Sequence, residues 1–500
     1  MNADEFRKAA HAAVEEIIHY NETLPTVPVT AQIPPGYLSP HLPSTAPQHP
    51  QPWSTIQPDI ATHIIPGLTH WQHPGFMSWF PATTSYPSLL GEMYSAAFTA
   101  PAFNWLCSPA CTELETVVMD WVCRMLALPD VFLSGGEGGG VIQGSASEAI
   151  VTCMVAARER MVVKECKGLE GEEREKKVAE VKGRLVALGG DQVHSATPKG
   201  AMIAGTRYHA ITTRREDGFR LTGKGLREAL KEIEGKGLLP YYVTTTMGST
   251  GICAVDVFEE IAEVKKEWPD VWIHVDAAYA GAALVCEEYQ HHAKFFGEFD
   301  SFDMNMHKWL LVNFDASCLF VRKRQDLISA MSITPSYLLN PSHISGLVTD
   351  YRDWQIPLGR RFRALKIWFV LRSYGVSGLQ KHIRHTVGLG ELFAGLVRER
   401  SDLFRIVAGP AFALTVIQVL PKKGEKGNDG DEAWVQEVNR VTKEAYEAVN
   451  RGGEIFLTSG VVGGQLAIRV VSANANAEEK WVKKAFEILV KEAEKVVGTS

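Results

Sequence analysis

The sequence predicts an α/β protein organised around a mainly parallel sheet, and three observations carry that expectation. Short apolar runs alternate with helical patterns from about Ser85 to Gly375, the signature of βαβ units. Two of the runs, "LLPYYVTTTMGST" and "DVWIHVDAAYAG", look like buried strands that end in turn residues. The chain has 500 residues, more than one hydrophobic core usually serves, so two or three domains are expected. The divisions fall at 1–85, an N-terminal helix and proline-rich segment; 86–375, a large α/β domain; and 376–500, a smaller C-terminal α+β domain.

The N-terminal stretch reads as one amphipathic helix. Asp4 can cap it, and Phe6, Ala10, Ala13, Val14, Ile17 and Ile18 recur at i, i+3, i+4 spacing. A short helix with such a stripe has to dock, on its own body or on a partner chain. Residues 22–58 hold ten of the 25 prolines, which excludes regular helix and central strand. That segment is a disordered linker or an extended strap, and its interleaved Leu, Ile, Val, Tyr and Trp favour the strap. "CTELETVVMDWVCRMLAL" and "ASEAIVTCMVAARERMV" have helical periodicity. Residues 164–184, dense in Lys, Glu and Arg, read as a solvated, helix-rich insertion. The Gly/Lys/Asp-rich break at 421–432 reads as a surface loop between the apolar run "FALTVIQVL" and a helix starting near Asp431.

Composition excludes several classes. The chain is 45% hydrophobic and 22% charged, ordinary for a soluble enzyme and incompatible with wholesale disorder. Its net charge of −7 argues against a nucleic-acid scaffold. Eight cysteines, mostly with apolar flanks and without zinc-ribbon spacing, read as buried free thiols in a reducing compartment. No secretory signal opens the sequence and no apolar run approaches a membrane span, so the expectation is a cytoplasmic protein. His70 and His73 form HxxH without a glutamate at zincin spacing, so no metal site is expected.

The strongest chemical signal is "NMHKWLLVNFDASCLFV", where Lys308 follows His307 ahead of an apolar, strand-like run. An apolar setting disfavours the ammonium and makes Lys308 a candidate Schiff-base amine. Taken alone, a snorkelling surface lysine is an equal reading. Upstream, Asp276 ends the run "VWIHV", where a carboxylate faces the crevice in which α/β sheets bind ligands. Singly, such an Asp is more often a helix cap or turn residue. Farther upstream "GGGVIQGSASEAIV" sets Gly144, Ser145, Ala146 and Ser147 at the start of an amphipathic helix, whose free N–H groups and dipole suit a phosphate. No Walker Lys-Ser/Thr follows, and the dinucleotide fingerprint fails because Gln143 stands where its third glycine belongs. Phosphate cradle, strand-end Asp and Lys, in that order, make the ligand set of a pyridoxal 5′-phosphate (PLP) enzyme.

The stretches "GLTHWQHPGF", "FNWLCSPACTELE", "GGGVIQGSASEA", "HVDAAYAGAALVC", "HKWLLVNFD" and "DWQIPLGRRFRALKIWFVLRSYGVSGLQ" resemble the group II PLP-dependent decarboxylases, most closely the aromatic-L-amino-acid decarboxylases. The resemblance runs from the N-terminal helix to near the C-terminus and is weakest in the two charged insertions and the last hundred residues. It implies PLP-dependent transferase fold type I, with a seven-stranded sheet flanked by helices, and a homodimer with shared active sites. The N-terminal helix and proline strap would then wrap the other protomer.

Residue by residue, the resemblance gives Lys308 the covalent attachment of the cofactor and Asp276 its pyridine nitrogen. A carboxylate about 4 Å from a pyridinium gains roughly 4 kcal/mol at an effective dielectric of 20, so Asp276 would favour the protonated ring. Ala146, Ser147, Thr250 and Asn305 fall where the family holds the phosphate, Ala278 beside the ring, and His194 where a histidine stacks on it. His307 could shuttle a proton or make a structural hydrogen bond. Trp71, Phe80, Pro81 and, from the partner subunit, Phe103 match the family's aromatic substrate pocket. Trp79 stands where animal members usually carry Tyr, and Ala82 where they carry Thr, which puts the pocket's polar contacts in question. Gly359 matches a position where plant members pair Gly with indolic substrates and Ser with phenolic ones. "ITPSYLLNPSHISG" has the composition of a lid, and its Tyr337 matches the tyrosine that protonates Cα in decarboxylating members. Relatives with Phe there make aldehydes. The implied activity is decarboxylation of tryptophan, 5-hydroxytryptophan, tyrosine, DOPA or phenylalanine to the arylalkylamine and CO2. The alternatives are an aromatic acetaldehyde synthase, another group II amino-acid decarboxylase, and a non-enzymatic PLP-binding homologue.

Overall fold

The β-branched and aromatic runs pair into a seven-stranded sheet. Its strands are β1 (Gly139–Gln143), β2 (Leu185–Gly190), β3 (Arg207–Ile211), β4 (Leu239–Thr246), β5 (Trp272–Asp276), β6 (Ser301–Asn305) and β7 (Ser317–Val321). The computed structural model describes residues 1–333, 348–421 and 430–498. The strand order is β1-β7-β6-β5-β4-β2-β3. β3, β2, β4, β5 and β6 run parallel, while β7 is antiparallel to both β6 and β1. Every residue of β1, β2, β5, β6 and β7 is buried, as expected of a sheet covered on both faces.

The helix Ala146–Glu165 packs on this sheet. Its N-cap is Ser145, whose hydroxyl accepts the Glu148 N–H. Ala149, Ala156 and Ala157 keep its buried side small, and Ile150, Cys153 and Met154 join Tyr242, Trp272 and Leu319 in one core. A buried ion pair ties the edge strand in place. Glu115, on the helix Pro109–Met125, accepts the Ile142 N–H at 2.8 Å and two Arg360 hydrogen bonds at 2.7 and 2.6 Å. Arg360 also donates to Ile142 O at 3.1 Å and lies over the Tyr351 ring at 4.9 Å. With its partners satisfied the pair tolerates burial, whereas removing one member of such a pair costs about 3–5 kcal/mol.

By contacts the chain divides into two compact units, residues 83–385 and residues 1–82 with 386–500. The expected 1–85 segment is therefore grouped with the expected C-terminal domain. The reason lies in its hydrogen bonds: Val29 N donates to Gly453 O at 2.9 Å, Met77 N to Phe456 O at 3.0 Å, and Val471 N to Met77 O at 3.0 Å. Leu24 and Val29 are buried, so this part of the proline-rich segment is a strap. The C-terminal half of the unit is an antiparallel sheet of β8 (Phe404–Ala411), β9 (Leu414–Val419), β10 (Thr458–Val462) and β11 (Gln465–Val471), ordered β10-β11-β9-β8. The helices Glu432–Gly452 and Glu479–Gly498 supply much of its core through Val441, Ala445, Phe486 and Leu489.

Some local expectations are corrected and others are met. The first helix, Ala3–Thr23, is capped by Asn2 rather than Asp4, because Asn2 and Glu5 form a reciprocal capping box. Cys107 is exposed, while the other seven cysteines are buried and all eight are free. The run after Lys308 does not begin a strand at once; Lys308 sits on a one-turn helix, Met306–Trp309, and β7 starts only at Ser317. The charged stretch 164–184 contains the helix Gly171–Arg184, anchored by buried Val181. Of the break at 421–432, residues 422–429 lie outside the described residues, and Asp431 caps the helix that follows. Among the described residues no helix is long and apolar enough to cross a membrane.

Candidate active site

The C-terminal ends of β4, β5 and β6 bring the chemistry-bearing residues of the 83–385 unit together. Asp276, 5% exposed, closes β5, and its Oδ1 accepts the Ala278 N–H at 3.1 Å. The backbone interlocks around it, with Ala277 N donating to Asp303 O at 3.0 Å and Asn305 N to Ala278 O at 3.0 Å. Lys308 follows one turn later and keeps part of its side chain accessible. Burial of the amine pushes its ammonium below the usual lysine range, opposed by Asp276, Asp303 and Cys253. His194 feels both Asp276 and Lys308, and burial holds its imidazole below the ordinary value. Its Nδ1 accepts the Ala196 N–H at 3.1 Å.

His307 makes a backbone hydrogen bond. Its Nδ1 accepts the Ala316 N–H at 2.8 Å, and burial pushes its pKa to about 4, so the ring is neutral with its proton on Nε2. The turn after β4 requires Gly248: it has φ +86°, and a Cβ there would stand 2.4 Å from Ala280 Cβ. Thr250 is exposed in this turn. Asp256 fastens it by accepting the N–H groups of Leu221 and Thr246 at 2.7 Å each.

The donor set fits pyridoxal phosphate. Ala146 and Ser147 supply the first two amides of a long helix, which have no intrahelical partner, and Ser147 and Thr250 offer exposed hydroxyls for a phosphate. Lys308 offers an amine for an aldehyde and Asp276 a carboxylate for a ring nitrogen. Two buried oxygens on the same strand ends, Thr246 Oγ1 and Asn305 Oδ1, have no hydrogen-bond partner among the described residues.

The remaining candidates belong to both units. Phe103 is part-buried and its carbonyl accepts the Arg352 N–H at 3.3 Å, while Gly359 is exposed and no atom of the described residues lies within 4 Å of where a Cβ would stand. In the other unit Trp71 stacks on Trp79 at 5.6 Å and 20°, and both are more than a third exposed. Pro81 is buried, and Phe80 lies under the Arg469 guanidinium at 5.3 Å. Phe456, 5.4 Å from Trp79, extends this aromatic group and went unread because it lies nearly four hundred residues away in sequence. His70 and His73 are held in hydrogen bonds with Tyr20 Oη and the Gly75 N–H, both at 2.8 Å. Tyr337 lies outside the described residues.

Residues 35–419 match the pyridoxal-dependent decarboxylase conserved domain, and the chain belongs to that family. Its cofactor is pyridoxal phosphate. Over its whole length the chain is 41% identical to tyrosine/DOPA decarboxylase 2 of Papaver somniferum, covering 94% of that protein. It is 40% identical to phenylacetaldehyde synthase of a Rosa hybrid cultivar, covering 100% of this chain and 96% of that one. The crystal structure of Oryza sativa TDC with PLP and tryptamine superposes with a TM-score of 0.92 at 35% identity, covering 99% of both chains. The architecture is that of fold-type I PLP enzymes.

Proposed function

We propose that the protein converts an aromatic L-amino acid into its arylalkylamine and CO2. The observation that carries the aromatic assignment is full-length similarity to proteins whose names specify tyrosine, DOPA and phenylacetaldehyde. The stacked, half-exposed Trp71–Trp79 pair supports it, because such a surface accepts another ring at little desolvation cost. When bound, pyridoxal phosphate supplies an electrophilic aldehyde for the substrate amine and a conjugated ring that takes up the electron pair released from Cα. The amides of Ala146 and Ser147, with Ser147, Thr250 and Asn305, hold its phosphate, and Ala278 packs beside the ring. Asp276 keeps a proton on the ring nitrogen. His194, its imidazole held towards the neutral form, stacks on the ring face. Lys308 Nζ carries the cofactor between turnovers and releases the product amine. Tyr337 donates its phenolic proton to the substrate Cα.

Incubation with tryptophan, 5-hydroxytryptophan, tyrosine, DOPA and phenylalanine, measuring CO2 and amine, tests the proposal. Amine from at least one is expected; amine only from glutamate or histidine would overturn it. Gly359 bears on the choice among them, and a serine enters there without displacing any atom of the described residues. Tryptophan or 5-hydroxytryptophan is expected among the substrates, and Gly359→Ser is expected to lower the indole-to-phenol ratio of kcat/KM by about tenfold, the scale of one added group in an apolar pocket. An unchanged ratio would remove Gly359 from the pocket. The second reading, an aromatic acetaldehyde synthase, is favoured by the rose relative and opposed by Tyr337.

The active form is proposed to be a homodimer, with Phe103 reaching the partner's site. Phe6, Val14 and Ile17 are 65%, 40% and 44% exposed on the first helix, a stripe that a second protomer would cover. Light scattering is expected to give twice the chain mass, and deletion of residues 1–60 to lower solubility or activity; a fully active monomer would contradict the shared site. Eight free thiols support a reducing, cytoplasmic location.

A further inference from the structure

The sheet face that bears Asp276 continues as a line of buried polar groups with no role in the proposed reaction. Trp272, His274 and Asp276 project to one side of β5, and the register His274↔Ser301 and Asp276↔Asp303 sets two polar residues of β6 beside them. Trp272 Nε1 donates to Ser301 Oγ at 2.7 Å, Ser301 Oγ meets His274 Nδ1 at 2.7 Å, and His274 Nε2 meets Asp303 Oδ1 at 2.9 Å. His274 and Asp303 are completely buried, and Asp303 Oδ2 has no hydrogen-bond partner among the described residues. An unmatched buried carboxylate oxygen is unfavourable, and this one belongs to the residue in register with Asp276.

The charges account for the arrangement. Burial lifts the Asp303 carboxyl to about 6; the His274 hydrogen bond opposes that rise, Asp276 adds to it and Lys308 opposes it. Burial also works against an imidazolium at His274, but hydrogen bonds to Asp303 and Cys153 outweigh it and raise the ring to about 10. The other titratable groups facing the pair are Cys153 on the covering helix, Tyr242 on β4, stacked 6.2 Å from the His274 ring, and Cys318 on β7. At neutral pH the two residues form an imidazolium–carboxylate pair with no net charge.

We infer that His274 and Asp303 are a positioning pair for Asp276: the imidazolium cancels the Asp303 charge, so that only the Asp276 carboxylate faces the cofactor's ring nitrogen. The inference rests on Asp276 holding that nitrogen. It is tested on the holoenzyme by following the visible cofactor absorbance between about pH 5 and about pH 9 in wild type, His274→Gln, Asp303→Asn and the double variant. Borohydride fixation of the cofactor on Lys308 serves as the check on seating. Wild type is expected to keep one spectrum above neutrality and to change as Asp303 takes up a proton near about 6. Without the imidazolium the carboxyl climbs further, so His274→Gln is expected to raise the midpoint by about one pH unit or more, a tenfold change in proton affinity. Asp303→Asn, alone or combined, is expected to abolish the transition. Asp303→Asn keeps the side chain's shape, so it still tests the pair if His274→Gln fails to fold. An unmoved midpoint in a folded, fixable His274→Gln, or a transition that survives Asp303→Asn, overturns the pair and leaves Asp276 untouched. Absence of fixation on Lys308 in wild type overturns both.

Discussion

Replacing Lys308 with alanine is expected to leave a folded protein with no measurable amine formation. The loss is of a covalent nucleophile rather than of packing, and residues acting as a unit in covalent catalysis commonly account for several orders of magnitude. Stability should move the other way or not at all. The lysine is held below its ordinary pKa by burial, so its ammonium is an unfavourable element of the fold, and a smaller apolar side chain relieves that. With the cofactor removed from both proteins, the expected thermal midpoint is equal to or above that of wild type. Borohydride treatment of wild type, followed by peptide mass analysis, should find the pyridoxyl group on Lys308 and on no other lysine. A fixed group elsewhere in the chain would end the assignment, even if the alanine variant were inactive.

Tyr337→Phe should redirect the reaction rather than stop it. If the phenol delivers the proton to Cα, its removal slows amine formation by about 10²–10⁴-fold, the usual contribution of a positioned general acid. CO2 release should fall less, because the bond to the carboxylate breaks before that proton is needed. The electron pair left at Cα then meets dissolved oxygen. Carbon is oxidised to the imine level and hydrolysed to aldehyde and ammonia, while O2 takes up two electrons and two protons to become hydrogen peroxide. Amine, aldehyde, ammonia and peroxide measured side by side decide the matter. Wild-type amine production with no peroxide would assign the proton to another donor and leave Tyr337 a packing role.

What the sequence disclosed follows how locally each feature is encoded. Asp276 was legible because a carboxylate that ends a β-branched run marks the crevice edge of an α/β sheet, and Lys308 because a basic residue stood ahead of an apolar stretch. The helix at Ala146 was legible from its glycines and its Ser cap. The His274–Asp303 pair was missed although its signal is present: Trp272, His274 and Asp276 share one parity, and so do Ser301, Asp303 and Asn305, but only the register of β5 and β6 makes them neighbours. Glu115 and Arg360 stood unread inside their motifs for the same reason, since the two members of that buried pair are 245 positions apart. The grouping of residues 1–82 with 386–500 depends on backbone hydrogen bonds such as Val29 to Gly453, which no local pattern encodes. Asn2 and Asp4 are equally good capping types, and the reciprocal bond with Glu5 selects Asn2, three positions before it.

The discontinuous unit has a consequence for how the polypeptide is made. Its first 82 residues leave the ribosome long before the strands that will pair with them, because roughly 300 residues of the other unit intervene. At about 5–20 residues per second of translation, that interval lasts roughly 15–60 s. Throughout it Val29, Phe76 and Met77, all buried in the finished protein, lack the backbone partners that Gly453, Phe456 and Val471 will supply. The prolines of residues 22–58 suit that wait. They deny the nascent segment the backbone donors and the regular strand geometry through which exposed chains pair with one another.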